Sequence, residues 1–239
     1  MLLSDLIADI EGLLDGNQVD PEVKRVIHDS REIIEGDIFC CLRGETTDGH
    51  NYIQEAIDSC ASALLAEEVS GFNIPTFLVE NVRAVLPLVA SRIVGDPSKE
   101  INVVGVTGTN GKTSVVSMLA EILRTHGTST ATIGTLTGML TTPESPKLQR
   151  ELRKHCDNGV EVVGLEVSSH SLVQKRVEET SFSTVAFTNL SHDHLDFHGT
   201  MENYYEAKSI LFSRSFSERA VIATDEEYGR SYFAKAISN

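Results

Sequence analysis

The stretch Val103-Val104-Gly105-Val106-Thr107-Gly108-Thr109-Asn110-Gly111-Lys112-Thr113 begins as an apolar strand, turns through two glycines and enters a helical pattern. Strand, glycine loop and helix in that order make the context a phosphate-binding loop requires. Gly108 and Gly111 let backbone N–H groups close around phosphate oxygens, with Thr109 and Asn110 completing the loop. The helix beginning near Thr113 adds the positive end of its dipole. Lys112 has the reach to contact terminal phosphates, and the Thr113 hydroxyl stands where such loops bind Mg²⁺. The common G-x-x-x-x-G-K-[ST] pattern would need glycine at 106, where Val106 stands, so the loop is a shorter form, G-T-N-G-K-T. The pattern implies a nucleoside triphosphate site.

Outward from the loop, strands and helices alternate. Apolar runs at Ile101–Val106, Thr130–Ile133, Val160–Val167, Phe182–Leu190 and Ala220–Ala223 read as strands. Helical patterns cover Thr113–Arg124, with Val115, Val116, Leu119, Ile122 and Leu123 inward, then Leu148–His155, Tyr204–Phe212 and Tyr228–Ile237. Before the loop, strands at Val23–Ile27, Ile38–Leu42, Ala63–Ala66 and Thr76–Val79 alternate with helices near Ile53–Ile57 and Val82–Val94. An amphipathic helix running from Leu2 to Leu14 is expected at the start. This is an α/β pattern with mostly parallel sheets and right-handed crossovers. Gly95-Asp96-Pro97-Ser98-Lys99-Glu100 is the best linker, giving expected domains at 1–98 and 99–239.

The 239 residues carry 35 acidic and 20 basic side chains, a formal charge of −15. So acidic a chain repels a phosphate backbone, which argues against a nucleic-acid partner. No apolar run approaches the roughly 18–20 residues that span a bilayer, so no membrane partner is expected. Met1–Asp5 lacks the basic start of a signal peptide, and a cytoplasmic location is expected. Cys40, Cys41, Cys60 and Cys156 include no CxxC pair and read as small buried hydrophobes, with Cys40 and Cys41 facing opposite ways.

Further polar clusters follow strand ends, where an open parallel sheet forms its ligand crevice. Glu166 closes an apolar run, and a carboxylate there calls for a cation; Mg²⁺ beside a triphosphate is the economical one. His192, His194 and His198 lie with Asp193 and Asp196 in a second cluster. Their spacing matches no common structural zinc pattern, and solvated loop histidines are the plain alternative. Residue chemistry alone leaves that cluster open.

Several segments together resemble the Mur ligases, ATP-dependent enzymes of peptidoglycan assembly: Asp29-Ser30-Arg31, Gly36–Phe39, Asp48-Gly49-His50, Gly105–Thr113, Thr141-Thr142-Pro143, Glu166–His170 with Gln174 and Arg176, Thr188-Asn189-Leu190 with Asp193–Asp196, and Tyr205–Lys208. The resemblance is greatest to the branch that adds the third residue, diaminopimelate or lysine, to UDP-N-acetylmuramoyl-L-alanyl-D-glutamate. It implies a small N-terminal α/β domain binding the UDP end, with His28 and Ser30 at the uridine and Glu45, Thr46 and Thr47 nearby. Thr141, Thr142, Ser169, Gln174 and Arg176 would contact the rest of the substrate. ATP would lie on Gly108–Thr113 with Asn189. Lys208 would be carbamylated and, with Glu166 and His194, hold a second Mg²⁺. Lys112, Lys208, Glu166 and His194 would be the catalytic set.

The same resemblance implies three domains, a last one selecting the amino acid, and a monomer when full-length. Asn239 would then fall partway through the central domain. Two expectations follow: a ligase fragment inactive alone, or a shortened, non-catalytic relative that binds nucleotide or UDP-sugar.

Overall fold

The computed structural model describes residues 1–239 apart from Gln18, Glu45, Thr46, Val69, Ser70, Met139 and Asn239. The chain forms two compact units, Met1–Gly95 and Asp96–Asn239, and the division falls at the start of the expected linker.

The first unit runs α1 (Leu3–Leu6), β1 (Leu13–Asp15), β2 (Arg25–Ile27), β3 (Asp37–Cys40), α2 (Ile53–Asp58), β4 (Ala63–Ala66), β5 (Thr76–Leu78) and α3 (Val82–Ile93). Its sheet has the order β1-β5-β4-β3-β2, with β2 to β5 parallel and β1 antiparallel on the edge. Burial on both faces explains why β3 and β4 read as continuous apolar runs. Side chains alternate between faces, so Cys40 packs with Leu3, Leu6 and Leu65 while Cys41 packs with Phe39, Ile53 and Leu64. Burial pushes the Cys40 thiol well above its ordinary pKa and the Cys41 thiol up to about 12. Cys60, by contrast, is exposed and Cys156 half-buried, so the expectation of four buried thiols holds for two.

The long opening helix is corrected to one turn. Leu3, Leu6 and Ile7 do bury on a helical face, but Asp9 turns left-handed (φ 62°) and Leu13–Leu14 join a strand. Gly12 permits this, since a Cβ there would lie 2.5 Å from the Leu78 carbonyl oxygen. A three-residue edge strand competes with the helical period and wins.

The second unit runs β6 (Asn102–Thr107), α4 (Lys112–Thr125), β7 (Thr130–Ile133), α5 (Ser145–Asp157), β8 (Val162–Glu166), α6 (Ser169–Val173), β9 (Thr184–Phe187), α7 (Leu195–His198), α8 (Met201–Ser209), β10 (Ala220–Ile222) and α9 (Glu227–Ser238). All strands are parallel, in the order β10-β9-β6-β8-β7. The loop-bearing β6 is therefore central. Its register pairs Val106 with both Glu166 and Ala186, so β6, β8 and β9 end at one level. Val103, Val163, Leu165 and Val185 build the core with Leu148, Leu152 and Leu211.

In α4 the buried face is Val116 and Ala120, while Ile122, expected inward, is 58% exposed. Gly164 on β8 lets Val116 dock closely, since a Cβ there would meet Val116 Cγ1 at 2.9 Å. Among the described residues no helix is long and apolar enough to cross a membrane.

Candidate functional site

The loop between β6 and α4 is braced from the end of β9. Thr188 Oγ1 donates to the Asn110 carbonyl at 2.7 Å, and Thr109 N donates to Asn189 O at 2.9 Å. The Asn189 side chain accepts from Asn110 N (3.0 Å) and donates to Asn110 O (3.1 Å). Gly108 (φ 151°) is required here: a Cβ would lie 1.9 Å from Thr188 Oγ1. Asn189, expected as a nucleotide contact, thus satisfies the loop's own backbone. With Thr109 and Asn110 amides engaged, the N–H groups of the first turn of α4, from Lys112 onward, are those without intrahelical acceptors. These are the donors a phosphate can use.

Two lysines converge on one carbonyl. Lys112 Nζ donates to Gly108 O and Thr109 O, both at 2.9 Å, and Lys208 Nζ donates to Gly108 O at 3.0 Å. Lys208 is 1% exposed. Burial, then the neighbouring Lys112 charge, lower its pKa to about 7, against the pull of Asp193. Lys112 is lowered too, by burial, with Glu166 and Asp193 opposing.

Glu166 is 2% exposed at the end of β8. Thr113 Oγ1 donates to its Oε2 at 2.8 Å, and Thr135 donates from its N (3.0 Å) and Oγ1 (3.3 Å). Gly134 leaves room for the carboxylate, since a Cβ there would sit 2.1 Å from Oε1. A buried carboxylate with neutral donors, adjacent to a threonine hydroxyl, is a hard oxygen pair that fits Mg²⁺. His194 Nε2 lies 3.5 Å from Asp193 Oδ2. Lys208, as an ammonium on a carbonyl, has no lone pair for a metal. Among the described residues no three His, Cys, Asp or Glu side chains are grouped to hold an ion.

The substrate candidates of this unit interlock. Thr142 Oγ1 donates to Glu166 O (2.8 Å) and accepts from Ser168 N (3.0 Å), while Thr142 O accepts from Arg176 Nη1 (3.0 Å). Arg176 also pairs through Nε with Glu144 (2.9 Å) and through Nη2 with Gln174 Oε1 (2.5 Å). Thr141 Oγ1 lies 3.2 Å from Thr135 Oγ1. Thr142 and Ser169 are buried and act first as pins of the framework. In the first unit, Ser30 is buried and His28 half-buried, both beside Asp29, which caps the turn at Ser30–Glu32. Thr47 O accepts from Gly44 N at 2.8 Å. Glu45 and Thr46 lie outside the described residues.

The sequence reading passed over Tyr204 and the nature of His198. His198 is 7% exposed on α7, not a solvated loop residue; its Nε2 lies 2.9 Å from Ser169 Oγ. Its ring is 5.6 Å from His170 and stacks on Tyr204 at 4.9 Å. The missed signal was spacing: Tyr204 and Lys208 stand one helical turn apart. Burial, then His170, Lys208 and His194, lower the His198 pKa from 6.5 to about 4. A depressed folded-state pKa means that the unfolded chain binds the proton more readily between these values. Stability is therefore expected to be full above pH 6.5 and to fall as pH drops through 4, by about 2–3 kcal/mol from this group. Urea unfolding from pH 7 to 4 checks this, and His198→Gln should flatten the profile. An unchanged profile in that variant would remove His198 as the cause.

Residues 106–239 match the Mur ligase middle domain, and residues 22–127 match the Mur ligase family catalytic domain. The UDP-N-acetylmuramoyl-L-alanyl-D-glutamate–2,6-diaminopimelate ligase of Bacillus licheniformis is 39% identical over 237 residues, covering 92% of this chain and 48% of that relative. The same ligase of Chromobacterium violaceum is 41% identical over 227 residues, covering 89% and 46%. A solved structure of such a diaminopimelate ligase superposes with a TM-score of 0.83 at 28% identity, over all of this chain and 50% of that one. The MurF ligase of Thermotoga maritima in complex with ADP gives a TM-score of 0.67 at 25% identity, over 90% of this chain and 49% of that one. The chain spans about half the length of the curated relatives it matches. With the middle-domain match alone covering more than half of its residues, this protein belongs to the Mur ligase family.

Proposed function

We propose that this chain carries the substrate and ATP sites of a cytoplasmic ligase that extends UDP-N-acetylmuramoyl-L-alanyl-D-glutamate by one amino acid in peptidoglycan synthesis. The convergence of Lys112 and Lys208 on the Gly108 carbonyl, beside the Thr113–Glu166 pair, carries this reading. ATP lies on the Gly108–Thr113 loop. The UDP end is held in the first unit by His28 and Ser30 with Glu45, Thr46 and Thr47, and the dipeptide end by Thr141, Thr142, Ser169, Gln174 and Arg176. The Arg176 guanidinium, already fixed by Glu144 and Gln174, is a preformed cation for an incoming carboxylate or pyrophosphate.

In the reaction, a substrate carboxylate oxygen attacks the γ-phosphorus and ADP departs, giving an acyl phosphate. An amine then attacks the acyl carbon, phosphate leaves, and the amine loses a proton as the amide forms. Lys112 leaves the loop carbonyls to neutralise charge on the transferring phosphoryl group. The framework holds two anions together that would otherwise repel. Thr113 and Glu166 would hold Mg²⁺, which screens phosphate charge.

Lys208 is the site of a carbamate. The neutral amine attacks CO₂, an N–C bond forms, and one proton leaves nitrogen, converting a cation into an anion able to join Glu166 and His194 at a second Mg²⁺. A pKa near 7 keeps neutral amine available at physiological pH. Incubation with ¹³C-bicarbonate is expected to give one carbamate resonance, absent in Lys208→Arg, growing as pH rises through about 7. No resonance at physiological bicarbonate would overturn the assignment. Calorimetry with UDP-N-acetylmuramoyl-L-alanyl-D-glutamate tests the function, and no binding would count against it.

A further inference from the structure

We propose that Tyr204 is a positioning residue that ties the phosphate loop to the Lys208 and His194 side of the site; this rests on the ligase reading above. Tyr204 is fully buried on α8. Its hydroxyl lies 3.2 Å from Thr109 Oγ1, the loop side chain that also accepts from Ser191 N at 3.0 Å. Its ring carries the Lys208 ammonium 4.5 Å from the centroid. The same ring stacks on His198 (4.9 Å, 29°) and meets the edge of His194 at 6.1 Å. Residues 204 and 208 share a helical face, so ring and amine are presented together.

One side chain thus touches the nucleotide loop through oxygen, and the lysine and both histidines through its ring. Mere core filling would need only the ring. The hydroxyl is placed to fix the rotamer of Thr109, and through it the loop from Gly108 to Gly111. The ring fixes where the Lys208 nitrogen stands, in either charge state.

Two variants separate these contacts in the chain as it stands. Tyr204→Phe keeps the ring and deletes the hydroxyl. Its melting temperature should stay within a few degrees of wild type, its carbamate label from ¹³C-bicarbonate should persist, and its affinity for Mg²⁺ with adenosine 5′-(β,γ-imido)triphosphate should fall about 3- to 10-fold, the range of one lost hydrogen bond. Tyr204→Leu deletes the ring, whose face favours the Lys208 ammonium over the anionic carbamate, and should raise the carbamate label at fixed pH and bicarbonate at least about twofold, the range of a lost cation–π contact. Wild-type nucleotide affinity in Tyr204→Phe overturns the proposal, whether or not Tyr204→Leu folds. A carbamate label in folded Tyr204→Leu no higher than in the unaltered chain overturns the ring's part. If the unaltered chain itself neither binds the nucleotide nor takes the label, the ligase reading fails and takes this proposal with it.

Discussion

Lys112→Ala is expected to lower affinity for Mg²⁺-bound ATP by between about 30-fold and several thousand-fold, the loss seen when one partner of a close charge pair is truncated. The size follows from the setting. The first-turn amides of α4 and the helix dipole attract phosphate but carry only partial charge. Lys112 is the loop's own cation, and it already sits within reach, 2.9 Å from two loop carbonyls. The variant should remain folded, because burial lowers the Lys112 pKa and removing a desolvated ammonium relieves that penalty. Lys112→Arg should not restore affinity, since a planar fork cannot take the place of a compact ammonium in so short a loop. Competition binding with a fluorescent nucleotide measures both. Near-normal affinity in the folded alanine variant would mean that nucleotide is not held here.

The second large effect lies in the first unit. Arg25→Met is expected to destabilise it by about 3 kcal/mol, because it strands a buried carboxylate. Asp37 is 0% exposed, and Arg25 holds it through two parallel bonds, Nε to Oδ1 at 2.9 Å and Nη2 to Oδ2 at 2.6 Å. Of its donors, the Ile34 amide at 2.8 Å would remain. For a unit of this size that loss corresponds to a melting shift on the order of 10–20 °C. Arg25→Met with Asp37→Asn should recover much of it, since no buried charge is then left alone. Calorimetric unfolding of the single and double variants decides the matter; a shift below about 3 °C in the single variant would contradict it.

Asp37 also shows how much was legible in the sequence. Beside Gly36 it reads as turn chemistry, and nothing local announces that Arg25, twelve residues earlier, folds back onto it across parallel strands. The strand, glycine loop and helix around Gly108–Thr113 were legible because they depend on spacing within eleven residues. The convergence of β6, β8 and β9 ends was legible in kind, through the rule for open parallel sheets, but the order β10-β9-β6-β8-β7 is set by non-local pairing. Thr142 and Asn189 were marked as site residues, and the structure gives each a bracing duty first: Thr142 bridges Glu166 O and Ser168 N, and Asn189 closes on Asn110. Side-chain to backbone bonds across strand ends leave no sequence period. The histidine cluster stays open in the sequence for the same reason, since burial of His198 against Tyr204 and Ser169 depends on where α7 and α8 pack.

The most direct test of the central claim is calorimetric titration of the unaltered chain with ATP, with and without Mg²⁺. One site per chain is expected, with affinity strongly reduced by chelation of Mg²⁺ under the proposal that the hydrogen-bonded Thr113 and Glu166 oxygens hold it. Absence of binding in the presence of Mg²⁺ would contradict the account.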